Sequence, residues 1–210
     1  MAQKQIKGVN FPKTKLGISR MNKISSSART LFFQKGFFDT GINEICDNAN
    51  IAVGTFYIYF EDKTALYRYI IEVLLAEINE TINNVLLIKD CVDRRTRESE
   101  GIKQFIRYVL KNPDIFEIIW GGFAIDPNAV TYYYNLFSDT YTNDLKKCKR
   151  QLIEGADCSD LSYILMGLSC FMAFKALFKK MSEEEIDDYV DNKIMPIISN
   201  GMFKPLERNC

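Results

Sequence analysis

Apolar side chains recur at helical spacing along almost the whole chain, and this period limits the fold more than any other feature. Ile24, Ala28, Leu31 and Phe32 fall at i, i+4, i+7 and i+8, which lie on one face of a helix. Comparable runs continue to about residue 203, and no segment alternates convincingly as a half-buried strand does. The pattern predicts an all-α protein of about nine helices.

The first three predicted helices are bounded by residues with known turn preferences. Gly36 is placed to end the first helix, which begins near residue 20. Gly41, or Thr40 before it, opens a short second helix. Asn50 then turns the chain into a third helix over residues 52–59, because asparagine tolerates the left-handed conformation that a tight turn needs. Two short helices joined in this way form either an ordinary small helical hairpin or a helix-turn-helix, in which the second helix enters the major groove of DNA.

Six longer helices are predicted beyond this segment. They span residues 63–88, 99–111, 114–124, 128–154, 159–180 and 182–203. The charged run at 89–98 is predicted to be an exposed loop. Ser182 and Glu185 form a capping box at the start of the last helix, and Pro196 is expected to kink or shorten that helix.

The 210-residue chain contains no histidine, which excludes whole classes of catalytic and metal site. Ser-His-Asp and Cys-His catalysis and histidine-bearing zinc sites are impossible without imidazole. The six cysteines include no Cys-x-x-Cys pair, so we expect free thiols in a reducing cytoplasm, with no metal and no cofactor. We assign no catalytic residue, and an enzyme using carboxylates, lysine, tyrosine or cysteine remains a remote alternative.

Charge is distributed unequally although the net charge is zero. The first 70 residues carry ten bases and five acids, a net charge of +5, whereas the remaining 140 carry 17 bases and 22 acids, a net charge of −5. A basic segment on an acidic body is typical of a polyanion-binding module joined to a body with another task. A solvated basic tail without a partner is the alternative interpretation.

The basic segment also carries an extended motif. It reads Ala28-x-x-Leu31-Phe32-x-x-Lys35-Gly36-Phe37, then Thr40-Gly41-Ile42-x-Glu44-Ile45, then Ala49-Asn50-Ile51-Ala52-Val53-Gly54-Thr55-Phe56-Tyr57-Ile58-Tyr59-Phe60-x-x-Lys63-x-x-Leu66. These roughly 40 positions resemble the DNA-binding domain of the TetR family of bacterial transcriptional regulators. Residues 1–19 contain Gly8, Pro12 and Gly17 with scattered lysines and no sustained period, so we expect a flexible basic arm there. The resemblance implies a helix-turn-helix domain over 20–67 and a helical effector-binding and dimerisation domain over 68–210.

The resemblance implies nine DNA-binding residues. They are Thr40, Asn43, Ala52, Val53, Gly54, Thr55, Tyr57, Tyr59 and Lys63. The family commonly has Ser then Lys where this chain has Ala52 and Val53, so a hydroxyl and a cation are missing from the tip of the recognition helix. We hypothesise two replacements for the missing hydroxyl and cation. Val53 would contact a thymine methyl group, or the lysine-rich arm would reach the minor groove.

Eight aromatic residues lie between residues 113 and 141, and their density permits two interpretations. They form either a packed helical core or an apolar effector cavity, and the resemblance to TetR proteins favours the cavity. The candidate pocket residues for a small apolar or aromatic effector are Phe116, Glu117, Trp120, Phe123, Tyr133, Phe137 and Phe171.

The penultimate helix is apolar nearly all round, which predicts burial on more than one side. The family forms homodimers through its last two helices, so a second copy of the chain is the expected partner. The longest uncharged apolar stretch, residues 161–174, is too short to span a bilayer, and the N-terminus does not resemble a signal peptide. We therefore expect no membrane partner.

Together these features predict a cytoplasmic, homodimeric regulator, most simply a repressor, that binds a palindromic double-stranded operator and is released by a small-molecule effector. An interaction module of the same fold that no longer reads DNA is a further alternative.

Overall fold

The computed structural model describes residues 6–87 and 93–201, and within them the secondary structure is helical apart from one isolated antiparallel bridge between Val9 and Phe60. The helices are α1 (Lys15–Lys35), α2 (Ile42–Ala49), α3 (Val53–Tyr59), α4 (Lys63–Leu87), α5 (Arg94–Lys111), α6 (Asp114–Ile125), α7 (Pro127–Lys147), α8 (Cys158–Lys179), α9 (Glu183–Asp188) and α10 (Met195–Asn200). A 3-10 turn at Lys149–Gln151 follows α7, and a π-helical segment at Tyr189–Ile194 joins α9 to α10. If α9 and α10 are counted as one run, these described residues hold nine α-helices, which confirms the predicted all-α class.

The chain divides into two compact units. One comprises Met1–Glu77 with Pro113–Phe137, and the other comprises Ile78–Asn112 with Ser138–Cys210. This division differs from the boundary predicted near residue 67, because α6 and the first half of α7 belong to the same unit as the helix-turn-helix.

The segment before α1 packs against the first unit, which differs from the predicted flexible arm over residues 6–19. Ile6 and Val9 are buried, and the backbone N–H of Asn10 donates to the carbonyl of Tyr59 at 2.8 Å. The Thr14 hydroxyl accepts a hydrogen bond from the Gly17 N–H, so α1 begins about five residues earlier than predicted. Residues 1–5 lie outside the described residues.

The helix-turn-helix forms as predicted. Gly41 is the N-cap of α2, and Asn50 adopts the left-handed conformation with φ of 53°. Ala52 is the N-cap of α3, whose residue Phe56 is fully buried in a core shared with α1 and α2. The Ser27 hydroxyl of α1 donates to the carbonyl of Ile45 in α2 at 2.8 Å, which ties these helices together.

Helix α6 is tied to the helix-turn-helix by buried polar contacts within the first unit. The Tyr67 hydroxyl donates to the Ile118 carbonyl at 2.7 Å, and Tyr67 is fully buried. The Arg29 guanidinium makes two hydrogen bonds to the Asp114 carboxylate, of 2.9 and 3.2 Å. Bidentate pairs of this kind fix geometry as well as charge.

A second ion pair joins α4 to the start of α7 in the same unit. The Arg68 Nε donates to the Asp126 carboxylate at 2.6 Å, while that carboxylate also accepts the Ala129 N–H at 3.1 Å. Burial raises the pKa of Asp126, but the bonds from Ala129 and Arg68 outweigh it and hold the pKa below its ordinary value.

The predicted exposed loop at 89–98 is wrong for its last five residues, which form the first turns of α5; residues 89–92 lie outside the described residues. Asp93 caps α5 by accepting the Thr96 N–H at 3.1 Å. The charges that suggested solvent exposure pair with each other instead: Arg94 contacts both Glu98 and Asp144, and Glu98 is buried. A dense charged run therefore marks an internal ion-pair network here.

The last helical run contains the interruption that Pro196 predicts. Ser182 and Glu185 form the predicted capping box at the start of α9. The run then widens into the π-helical segment before α10, in which Pro196 occupies the first turn. Proline supplies no N–H and its ring crowds the carbonyl four residues before it, so the preceding turn is wider than an α-helical turn.

Helix α8 is less buried than its composition predicts. Its 22 residues are long and apolar enough to cross a membrane by length and composition alone, yet only 22% of its most apolar stretch is buried within the chain. Exposed side chains with helical spacing follow one side of α8, namely Ile164, Phe171 and Phe178.

Candidate nucleic-acid interface

Helix α3 has one face in the core and one face in solvent. Phe56 and Tyr59 are buried, and Val53 is half-buried against the core of the unit. On the opposite side, Gly54 is exposed, Tyr57 is 53% exposed and Ile58 is 59% exposed. These three exposed residues have the i, i+3 and i+4 spacing of one helical face, which we call the α3 outer face.

The predicted DNA-binding residues around the α3 outer face are mostly accessible. Asn43 on α2, Ala52 and Gly54 are exposed, and Thr55 is half-buried. A methyl group built on Gly54 meets no atom within 4 Å, so packing within the chain does not require glycine there. Ile58 was not among the predicted residues, although its position four residues after Gly54 is a sequence signal that places it on the same face.

Two of the predicted DNA-binding side chains point into the fold. Tyr59 is 5% exposed, and its hydroxyl lies against Gly17, where an added methyl group would be 3.4 Å away. Thr40 is 1% exposed, and its hydroxyl donates to the Gly36 carbonyl at 2.7 Å. Tertiary packing thus uses both side chains, and their contact with DNA stays a prediction.

Lys63, another of the predicted DNA-binding residues, makes internal contacts. Its ammonium donates to the carbonyls of Phe37 and Thr40 at 2.6 Å each, and it lies 4.4 Å from the centre of the Phe37 ring. Burial lowers the pKa of Lys63. The ammonium thus ties the α1–α2 loop to the start of α4, which explains a cation in the first turn of a helix without any phosphate.

The basic residues of the first unit fall into two groups. Internal partners occupy Arg29, Lys35, Lys63 and Arg68, through the contacts already described and a Lys35–Glu44 pair. The other five in the described part of this unit are exposed and form no ion pair there: Lys7, Lys13, Lys15, Arg20 and Lys23.

These five exposed cations are called the basic segment, and the chain that carries the first of them runs beside the end of α3. The chain at residues 8–10 runs beside residues 59–61, since the Asn10 N–H donates to the Tyr59 carbonyl and the Glu61 N–H donates to the Gly8 carbonyl at 2.9 Å. Lys13 and Lys15 flank Thr14, the N-cap of α1, next in the chain. The first cations of the basic segment therefore belong to the part of the chain that borders the C-terminal end of α3.

The predicted pocket residues do not form a single cluster. Phe116 and Trp120 of α6 have ring centres 5.0 Å apart, and Glu117 between them is exposed. Trp120 is 38% exposed, and Phe123 is exposed and stacks on Tyr134 with ring centres 6.3 Å apart.

The remaining pocket residues have other surroundings. Tyr133 is buried, and its burial together with a hydrogen bond to Glu72 raises its pKa well above the ordinary value. Phe137 is half-buried, and Phe171 is 63% exposed on α8, in the second unit. The aromatics thus serve both as core and as surface, and Phe171 is on a different unit from the other six.

A groove of about 550 Å³ lies in the second unit beside α8 and α9. Its lining is mainly charged and comprises Lys175, Lys179, Met181, Glu184, Glu185, Asp188, Tyr189 and Lys193. Among residues 6–87 and 93–201, no group of three or more histidine, cysteine or acidic side chains is placed to hold a metal ion.

This chain resembles known proteins both in its helix-turn-helix motif and in its fold. Residues 24–70 match the family model of bacterial regulatory proteins, tetR family. No curated protein matches the chain. A TetR-family transcriptional regulator of Syntrophomonas wolfei superposes with a TM-score of 0.74 at 21% identity, over 89% of this chain and 97% of that one.

Two structures of regulators named FadR share the same fold. The fatty acid degradation regulator FadR of Bacillus halodurans has a TM-score of 0.76 at 12% identity, over 91% of this chain and 98% of that one. FadR of Bacillus subtilis, solved in complex with stearoyl-CoA, has a TM-score of 0.68 at 14% identity, over 87% of this chain and 99% of that one.

The family match covers the helix-turn-helix whose outer face is described above, and the likeness in fold extends over most of the chain. Proteins of this family are transcription factors rather than enzymes. Residues 24–70 thus form a helix-turn-helix domain that matches bacterial regulatory proteins of the tetR family, and most of the chain shares the fold of TetR-family transcriptional regulators.

Proposed function

We propose that this protein is a cytoplasmic, ligand-responsive repressor that binds a palindromic operator as a homodimer and leaves it when a small apolar or aromatic effector binds. The observation that carries the proposal is the α3 outer face, an exposed helix surface near whose C-terminal end runs a chain segment with exposed cations. Phosphate contacts supply much of the affinity of such proteins, while the helix in the groove supplies the sequence preference.

Gly54 supports the proposed direction of DNA approach. Glycine inside a helix costs about 1 kcal/mol relative to alanine. Nothing in the chain requires glycine here, since an added methyl group meets open space. The missing side chain on the α3 outer face leaves room for close approach of an external surface, here proposed to be the floor of the major groove.

Gly54→Ala tests DNA binding in a way that separates function from folding. The variant should unfold at a higher urea concentration, with a gain of up to about 1 kcal/mol. It should nevertheless bind the DNA upstream of its own gene roughly tenfold more weakly in a gel shift, because the methyl group crowds the groove.

Gly121→Ala is the matched control, since an added methyl group at Gly121 also meets no atom within 4 Å. It should gain similar stability with unchanged DNA affinity. Unchanged affinity in Gly54→Ala would contradict the proposed interface, and would favour the interaction module that no longer reads DNA.

The homodimer is proposed to form through α8 and the helical run of α9 and α10. Ile164, Phe171 and Phe178 give α8 an exposed apolar side, and Ile197 of α10 is also exposed. Exposed apolar side chains repeated along one side of a helix are typical of an interface, and a second copy would cover them symmetrically. Two copies also present two recognition helices to two half-sites.

Ile164→Glu tests the dimer. It should convert the protein to a monomer in sedimentation velocity and weaken operator binding, whereas Ile153→Glu, at an exposed loop position, should change neither property. A wild-type protein that sediments as a monomer at micromolar concentration would overturn the dimer, and wild-type binding to lipid vesicles would assign the α8 surface to a membrane.

The effector is proposed to bind at the aromatic surface of α6, where Trp120 and Phe123 are exposed. Trp120 is the single tryptophan of the chain, so its fluorescence reports on this surface alone. Titration with long-chain acyl-CoA and with aromatic acids should shift Trp120 emission to the blue for the effector class that also releases DNA. A compound that releases DNA without changing Trp120 emission would place the effector elsewhere.

A further inference from the structure

We propose that α3 recognises its operator through thymine methyl groups in the major groove, and not through the hydrogen-bonding edges of guanine or adenine. The inference rests on the proposed DNA binding and specifies its sequence class: half-sites whose recognition depends on thymine at the bases that face Ile58.

Helix α3 lacks the side chains that usually recognise guanine and adenine. The helix reads Val-Gly-Thr-Phe-Tyr-Ile-Tyr and contains no charged residue and no amide. Guanine is read mainly by arginine or lysine, and adenine mainly by asparagine or glutamine. The hydroxyls of Thr55 and Tyr57 are the polar side-chain groups that α3 offers on or beside its outer face, and neither is a bidentate donor.

Ile58 gives the α3 outer face an exposed apolar side chain. A single exposed isoleucine is ordinary on a protein surface. Here, however, Ile58 shares a face with Gly54, which leaves room for close approach, and with Tyr57, whose ring is also exposed. The thymine methyl is the apolar group that the bases present in the major groove, so it is the group that such a face can bury.

From sequence, Val53 was the residue expected to contact a thymine methyl group. Because Val53 is half-buried, we assign this contact to Ile58 instead. Val53 packs partly against the core of the first unit, whereas Ile58 points outward. The cations nearest in sequence lie outside α3, in the basic segment, and cations of this kind typically bind phosphates rather than bases. Apolar contacts on α3 and cations outside it match the chemistry of thymine-rich major groove.

The experiment uses the full-length protein and duplexes enriched by it from a random pool. In the enriched duplex, each thymine is replaced by deoxyuridine, which removes the methyl group and keeps base pairing. Each guanine is separately replaced by 7-deazaguanine, which removes the N7 acceptor. We expect about a fourfold loss of affinity for each thymine methyl that Ile58 buries, and less than a twofold loss for each 7-deazaguanine.

Ile58→Ala completes the test as a double-mutant cycle. The deoxyuridine penalty should fall below twofold in this variant, whose folding is checked by circular dichroism, and Ile153→Ala should leave the penalty unchanged. A deoxyuridine penalty below twofold in the wild type, or an equal penalty in Ile58→Ala, would overturn the inference. If no duplex is enriched at all, the proposed DNA binding fails, and the inference fails with it.

Discussion

Gly122→Ala is expected to destabilise the first compact unit by about 1 to 3 kcal/mol. An alanine methyl at this position would lie 1.9 Å from the Tyr67 hydroxyl and 2.6 Å from a methyl of Val130. Tyr67 is fully buried and donates its hydroxyl to Ile118, so it must give up this bond in order to move. Overpacking costs about 1 to 3 kcal/mol and a lost buried hydrogen bond about 1, while the better helix propensity of alanine returns about 1 kcal/mol.

The adjacent glycine provides the control for this prediction. Gly121→Ala adds the same methyl group to the same helix where it meets open space, so it should stabilise the protein by up to about 1 kcal/mol. The assay is urea unfolding followed by Trp120 fluorescence, which reports on the first unit. Equal midpoints for the two variants would refute the reasoning, since helix propensity alone treats them alike.

A second variant isolates the cause of the Gly122 effect. Tyr67→Phe removes the oxygen that the alanine methyl would meet at 1.9 Å. In the Tyr67→Phe background, Gly122→Ala should therefore cost less than in the wild type, with a coupling energy of about 1 kcal/mol. Purely additive effects would show that Tyr67 is not the obstacle.

Three further predictions concern charge. Alanine at both Lys13 and Lys15 should lower the slope of log affinity against log salt by about one per lost phosphate contact, and the same change at exposed Lys146 and Lys147 should leave it unchanged. Lys63→Met should lower the free energy of unfolding, measured in urea, by about 1 to 2 kcal/mol, because it removes two hydrogen bonds to backbone carbonyls. Unchanged stability together with weaker DNA binding would instead support the predicted DNA contact of Lys63. Asp126→Asn should be less stable than wild type at pH 7. Because the pKa of Asp126 is depressed in the folded protein, the difference in stability should shrink as pH falls below about 4 and the carboxylate is protonated. A difference that persists at acid pH would show that the charge of Asp126 does not stabilise the fold.

Local sequence determined the elements of this protein because helix boundaries depend on residues within about four positions of each other. The capping box at Ser182, the left-handed turn at Asn50 and the N-cap at Gly41 all follow from side chains or backbone preferences next to the bond concerned. The motif from Ala28 to Leu66 likewise indicated the DNA-binding domain, and the family match covers most of it.

Tertiary structure alone decided what several of those residues do. Lys63 reaches carbonyls more than 20 positions away, and Arg29 pairs with Asp114 at a separation of 85 positions. Tyr59 has the helical position of a DNA contact but turns into the core. Such pairings depend on which surfaces meet when helices pack, and a period of 3.6 residues identifies an apolar face without identifying its partner. The helices were therefore predictable from sequence, whereas the side chains left free to meet DNA became known only from their packing.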